Sequence, residues 1–500
     1  MSESGAPPGD GSSGLGARAA RGAAVTVGGQ GIRILIQVVS VVTLARLLSP
    51  QDYGLVAMVL AVVGVAEIFR DFGLSSAAVQ VPLLSRGQRD NLFWINTGLG
   101  VVLAGIALLA APLVGLLYRE PDVVALTQVL SLTFVLNGLA AQYRADRNRQ
   151  LKFAVLALSD VGGAAIGLGV AISTALLGWG YWALAAQQLT QGLVALVVLV
   201  GSARWLPRLP DRSADVRGLL RFGWHLVGTQ LVGYITNNID SVIVGVRFGA
   251  AQLGIYSRGF QLLMQPLGQL RAPTTTVALP VLSRLQNDPA RYDEFLVRGQ
   301  QALGYTLVAG LGVVVAAADP LVAILLGPQW QEVVPILRIL AAAGAFQTLA
   351  YVGYWVYLSR ALTSDLLRYS MVTSVVKIAC ILIGSYWGII GVAIGYAAGP
   401  AIAWPISIIW LSTRTTIPAR RLVLGALRML AVATVAAGAG WLAAVASTAL
   451  GVVAEAAIAI GVTLAVYAII ALIIPPVRRD VAGIIAIMRL VPAARRGRSA

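Results

Sequence analysis

Runs of about twenty apolar residues recur along the whole chain, and a polypeptide that carries so many of them has only one solvent in which it can fold. A bilayer core about 30 Å thick is crossed by about twenty residues of α-helix. Span-length apolar runs mark off at 23–45, 54–69, 92–117, 123–143, 154–178, 181–203, 219–246, 253–276, 299–326, 332–357, 366–386, 388–412, 424–449 and 452–474. Composition agrees, with 58% hydrophobic and 12% charged residues, whereas a soluble domain carries about 25% charged residues. The surface of a water-soluble globule cannot be covered from that stock, which excludes a soluble enzyme on a membrane anchor. Backbone groups in lipid must be satisfied within their own segment, so the expectation is an all-α polytopic membrane protein with fourteen transmembrane helices.

The net charge of +16 first raises the question of nucleic acid. The basic residues, however, sort by side. Arg18 and Arg21, Arg70 with Arg86 and Arg89, Arg144 through Lys152, Arg204 through Arg221, and the Arg-rich stretches around 284–298, 414–428 and 478–498 all fall on one side of the alternating spans. Arg46, Arg119 and Arg247 fall on the other. The positive-inside rule then puts both termini in the cytoplasm and makes the charge an orientation signal, with no nucleic-acid partner. Trp94, Trp179, Trp182, Trp205, Trp224, Trp330, Trp387 and Trp410 sit at span ends as an interfacial belt, whereas Trp404 and Trp441 do not fit it.

Catalytic chemistry has little to work with. A lone Cys380 excludes a disulfide framework or a Cys-rich metal site within one chain. We find no P-loop, dinucleotide fingerprint, metal-ligand cluster or nucleophile triad, so no cofactor is expected and ATP is not the direct energy source. The connections on the outer side, such as 48–53 and 118–122, are too short to fold an external catalytic domain. The expectation is a protein that is not an enzyme.

A shift of 200 positions superposes Gly28 on Gly228, Gln30 on Gln230, Gln37 on Asn237 and Gly54 on Gly254. At 201, Arg46 meets Arg247 and Gln51 meets Gln252; at 210, Asn137 meets Gln347. The polar exceptions coincide, which chance matching of apolar runs does not produce. The reading is a disordered cytoplasmic tail over 1–22, an N-lobe of six spans over 23–206, a basic cytoplasmic linker over 207–218, a C-lobe of six over 219–412, two extra spans over 413–476 and a cytoplasmic C-terminal tail over 477–500. Within that last tail, 478–491 reads either as an amphipathic helix on the inner leaflet or as solvated chain. Six is even, so the halves enter from the same side and form a parallel repeat about an axis along the membrane normal, with a cavity between lobes.

The stretch LARLLSPQDYGLVAMV after the first span, the 6+6+2 pattern and the RNRQLKF segment after the fourth resemble the polysaccharide exporter branch of the multidrug/oligosaccharidyl-lipid/polysaccharide exporter superfamily. Within it the chain is similar to the O-antigen and teichuronic-acid type exporters, over about 23–474. The resemblance implies a flippase in a bacterial plasma membrane that moves a polyprenyl-diphosphate-linked glycan from inner to outer leaflet, with a glycan polymerase or glycosyltransferase as protein partners.

Ionisable groups inside a span are costly, so each is a site candidate. Thr26, Gln30, Arg33, Gln37 and Ser40 lie on one face of the first span, and Gln230, Tyr234, Asn237 and Ser241 repeat the pattern in the seventh. Interhelical hydrogen-bond glue explains the amides but not Arg33, whose guanidinium stays charged. Interior cations Arg33, Arg258, Arg271, Arg338 and Lys377 outnumber the anions Asp160, Asp240 and Glu455. A diphosphate would balance the excess, and Arg matches phosphate oxygens in bidentate fashion. The substrate-cavity candidates are therefore Arg33, Gln30, Gln37, Asn237, Arg258, Arg271 and Lys377, with Arg338 read as an interface residue. Snorkelling is the alternative for Arg258 and Arg271, and a carboxylate pair with Asp160 or Asp240 the alternative for Lys377. Asp240 and Asp160 are the candidates for ion coupling. His225 is read as interfacial, and Pro266, Pro273 and Pro280 are expected to kink or end their span. A multidrug exporter of the same superfamily and a membrane glycosyltransferase acting on polyprenyl-linked sugars are the competing readings.

Overall fold

The structure, a computed structural model, describes residues 11–71, 85–203, 205–211 and 217–483. Among these the regular structure is helical, and ten helices are long and apolar enough to cross a membrane. The chain is therefore a multi-pass membrane protein. It divides into two compact units, Met1–Gly254 and Ile255–Ala500.

The first unit contains α1 (Gly11–Leu47), α2 (Pro50–Asp71), α3 (Arg86–Tyr118), α4 (Asp122–Leu130), α5 (Leu132–Arg149), α6 (Phe153–Leu176) and α7 (Trp182–Ser202), then the first part of α8 (Arg217–Arg284). Residues 11–22, expected as a disordered tail, are a correction: they continue α1 upstream. Ala17, Ala19, Ala20, Leu15 and the arginines among them are strong helix formers. The RLLSPQDYG turn is explained by its local chemistry. Ser49 caps α2: its Oγ accepts the Asp52 N–H at 3.2 Å while the Asp52 carboxylate accepts the Ser49 N–H at 2.8 Å and the Ser49 hydroxyl at 2.7 Å. Pro50 occupies the first helical position, where a missing N–H costs nothing.

Gly54 is required by a helix crossing. A Cβ there would stand 1.7 Å from the Ala250 carbonyl oxygen, and a Cβ at Gly254 would stand 1.8 Å from that of Pro50. The contact is reciprocal at a spacing of 200 residues, and the burial classes of 51–60 recur position by position over 251–260.

The second signature segment is also structural. Arg147 is 1% exposed and donates to Asp146 at 2.6 Å and to the Ser202 carbonyl at 3.1 Å. Asp146 further accepts from Gln150 at 2.9 Å and from the Trp205 indole at 3.2 Å. Trp205 stacks on Tyr143 and lies beneath the Arg89 guanidinium. The linker that follows lies against the start of α3, where Asn91 exchanges two hydrogen bonds with Asp211. Of the stretch expected as a linker, 212–216 lies outside the described residues.

α8 carries its one non-helical residue at Gly249, with φ 80°. Of the two outcomes expected for Pro266, Pro273 and Pro280, a kink or an end, the helix does not end at them. Spaced by seven, they share one exposed face.

The second unit completes α8 and adds α9 (Pro289–Leu303), a π-helical turn (Gly304–Val308), α10 (Ala309–Ala316), α11 (Ala318–Leu325), α12 (Val333–Ser359), α13 (Thr363–Gly384), α14 (Gly388–Arg414), α15 (Ala419–Ala446), α16 (Val452–Ile473) and a short helix over 475–483. α12 is its axis, the most buried of the candidate spans. Trp404, an outlier from the expected belt, is buried against Leu349, Ala426 and Met429.

The helix after α16 departs from a membrane-surface segment over the part described. Val477 and Asp480 are buried, and the Asp480 carboxylate accepts from Gln301 at 2.7 Å and Tyr305 at 3.1 Å while pairing with Arg428 at 2.5 Å. Burial pushes that carboxyl above the usual aspartate range, with Arg428 drawing it back. Residues 484–491 of the expected amphipathic helix lie outside the described residues.

Candidate functional site: two polar surfaces with unneutralised cations

In the first unit, α1 turns Gln30, Arg33 and Gln37 to an exposed surface, and Asn237 of α8 is exposed in the same way. Arg33 makes no hydrogen bond, ion pair or ring contact with the described residues. A guanidinium left so in a span requires water or an anion, because it cannot shed its proton. The stripe is not uniform. Ser40 accepts from Gln187 at 3.0 Å and Tyr234 donates to the Leu60 carbonyl at 2.8 Å, so at these two positions the polar groups join helices. Gln230 is exposed, and Thr26 and His225 carry no described side chains.

The two coupling candidates part company. Asp160 receives both terminal nitrogens of Arg144, at 2.6 and 3.3 Å, a bidentate pair that holds α5 to α6. Asp240 is 1% exposed.

The second unit brings together Arg271 and Lys377, which the sequence gave no means of pairing. α8 and α12 run parallel with small residues between them. Gly344 leaves room for Leu267, whose side chain would lie 2.7 Å from a Cβ there. One turn on, Arg271 donates to the Gln347 amide oxygen at 3.1 Å; one turn further, Thr275 donates to the Tyr351 hydroxyl at 3.0 Å. The Gln347 amide nitrogen donates in turn to the Tyr396 hydroxyl at 3.3 Å.

Tyr396 is positioned by a second close pair. Gly391, Gly395 and Gly399 form a ladder on α14, and Cβ atoms there would meet the Gly384 carbonyl, the Cys380 carbonyl and the Lys377 stem at 2.0, 2.3 and 3.2 Å. Small residues at this spacing let membrane helices approach to backbone contact. The approach sets the Lys377 ammonium over the Tyr396 ring at 4.5 Å from its centroid, a cation–π contact.

The Arg271 guanidinium lies 5.5 Å from the Tyr351 ring centroid, and its Nε is buried with no hydrogen-bond partner. Its partners are an amide and an aromatic face, both neutral, and no carboxylate pairs with it among the described residues. A half-buried cation with only neutral partners holds net charge that a bound anion would offset. Arg338 behaves differently: it pairs with Asp319, donates to the Val315 carbonyl and lies near Trp441. Arg258 is 8% exposed.

Gln347, Tyr351, Tyr396 and Thr275 were not singled out as site residues from sequence. The GxxxGxxxG spacing of 391–399 was the signal available for Tyr396 and Lys377. Nothing in the sequence marks Thr275 or Tyr351, which matter through the residues they touch. No group of three or more His, Cys, Asp or Glu side chains that would hold a metal occurs among the described residues.

Residues 43–335 match the family described as polysaccharide biosynthesis protein. The chain is 24% identical over 372 residues to the lipopolysaccharide biosynthesis protein WzxC of Escherichia coli (strain K12), covering 73% of this chain and 75% of that one. It is 28% identical over 314 residues to the succinoglycan biosynthesis transport protein ExoT of Rhizobium meliloti (strain 1021), covering 63% of each. Its fold is similar to that of the lipid II flippase MurJ in an inward closed conformation, with a TM-score of 0.69 at 14% identity over 89% of this chain and 98% of that one.

Proposed function

We propose that this chain, which belongs to the polysaccharide biosynthesis protein family, is a flippase that carries a polyprenyl-diphosphate-linked oligosaccharide or polysaccharide precursor across the bacterial plasma membrane by alternating access. It is a transporter and not an enzyme. Its named relatives act in lipopolysaccharide and succinoglycan biosynthesis, and its fold is that of a protein named as a lipid II flippase. The observation that carries the reading to this chain is Arg271: a half-buried cation tied to Gln347 and Tyr351 and matched by no described carboxylate. Arg33 supplies a second unneutralised cation. In this reading the diphosphate is loaded from the inner leaflet, and the Arg271 guanidinium replaces water that hydrates its oxygens.

Fourteen spans in two six-helix lobes with an extra pair, both termini cytoplasmic, give the frame for that movement. The repeated burial pattern of 51–60 and 251–260 supports it, as does the reciprocal crossing of Pro50–Gly54 with Ala250–Gly254. A glycan polymerase or glycosyltransferase would act on the delivered precursor. Cells lacking the protein are expected to lose the surface glycan and to accumulate the lipid-linked precursor on the cytoplasmic leaflet. Arrival of that precursor at the outer leaflet at the normal rate would overturn the reading.

A further inference from the structure

Beside Arg271 the second unit presents an aromatic surface that anion binding alone does not require. Gln347, Tyr351 and Tyr354 follow one another at four and three residues along α12 and so share a helical face. The rings of Tyr351 and Tyr354 lie 5.8 Å apart at 36°. Tyr351 is fixed from three directions: Thr275 bonds its hydroxyl, Trp355 meets it edge-on at 6.2 Å and the Arg271 guanidinium lies 5.5 Å from its ring centroid. Trp355 is locked in turn, its indole donating to the Thr275 hydroxyl at 3.1 Å. Tyr354, by contrast, is 39% exposed and its ring packs only against Tyr351 among the described ring pairs.

A rigid ring beside a cation, followed by an open ring on the same face, is a surface for a flat group attached to an anion. Seven residues of helix span about 10 Å, so a group held by the cation opposite Gln347 has its next covalent neighbour over Tyr351 and Tyr354. An aromatic face takes the C–H-bearing face of a pyranose, which is apolar, and leaves the sugar hydroxyls to water.

We propose that Tyr351 and Tyr354 form a stacking platform for the first sugar of the glycan, the pyranose joined directly to the diphosphate that Arg271 holds. This rests on the reading of Arg271 as an anion site. The platform makes the protein discriminate for a glycosylated diphosphate over a bare polyprenyl diphosphate, so that the unglycosylated carrier is a poor competitor.

The test uses the full-length detergent-solubilised chain and two probes, farnesyl diphosphate and farnesyl-diphosphate-linked N-acetylglucosamine, titrated calorimetrically. The wild-type protein is expected to bind the sugar-bearing probe about tenfold more tightly. Tyr354→Ala, at an exposed position that leaves the fold intact, is expected to erase that difference while leaving affinity for farnesyl diphosphate unchanged; Tyr354→Trp keeps it. Arg271→Gln weakens both probes together. Equal affinity of the wild-type protein for the two probes overturns the platform and leaves the anion site standing, as does a Tyr354→Ala variant that keeps the preference. Binding of neither probe overturns the anion site and the platform with it.

Discussion

Arg33 and Arg271 are both cations inside apolar helices, yet their surroundings are opposite. Arg33 stands on an exposed face of α1 with Gln30 and Gln37 and touches no described partner through hydrogen bond or charge. Arg271 is knitted to Gln347 and through it to Tyr396, with Tyr351 beside it. The first is a mobile charge whose side-chain entropy must be lost when it meets a ligand. The second has already lost it, so an anion that reaches Arg271 meets a pre-oriented donor. Neither resembles Arg338 or Arg144, whose carboxylate partners Asp319 and Asp160 neutralise them in place. A cation's partner, more than its depth in a span, separates structural charges from those with binding capacity to spare.

Four experiments press on this contrast. The largest effect is expected from deleting either charge. Arg33→Ala and Arg271→Gln each lose a charge-assisted contact worth about 1.5–3 kcal/mol, so export measured by outer-leaflet precursor should fall about tenfold to a hundredfold at unchanged protein level. Lysine replacements then separate the two sites: Arg33→Lys keeps part of the activity, because a mobile charge needs no fixed fork, whereas Arg271→Lys behaves nearly as badly as Arg271→Gln. Equal rescue at both positions would remove the distinction.

A smaller effect is expected from Gln347→Leu, which leaves both cations but cuts the link from Arg271 to Tyr396. Export should drop several-fold, with the loss appearing as weaker substrate affinity, since Arg271 then pays its ordering cost on binding. An unchanged affinity would show that the knit confers nothing. The smallest is expected from Asp319→Asn. It breaks the half-exposed pair with Arg338, of a kind worth at most about 1 kcal/mol, and export should stay within about twofold. A loss as deep as that of Arg271→Gln would place Arg338 among the working cations.

Much of the fold was legible because it follows from solvent. Apolar run length requires helices, and the SPQD turn requires a cap at Ser49, a proline at the first helical position and a carboxylate two residues beyond it. The prolines of α8 lie inside the helix and do not end it, and their spacing of seven sets them on one exposed face. The start of α1 was misread because a Gly/Ser-rich opening outweighed the alanines that follow it. Arg271 and Lys377 stood out singly as charges in apolar runs, whereas Asp160 looked equally eligible until its bidentate bond to Arg144 was seen.

The sequence by itself determined that this chain lives in a bilayer as a set of helices, and that its interior holds more positive than negative charge, because both depend on counts of residue types along the chain. Which cations are spent on carboxylates and which remain for a ligand was decided only by the tertiary structure. Glycine ladders and reciprocal crossings set helix backbones in contact, and a chain of contacts between residues distant in sequence, such as that from Arg271 through Gln347 to the Tyr396 that sits under Lys377, is fixed by that packing register.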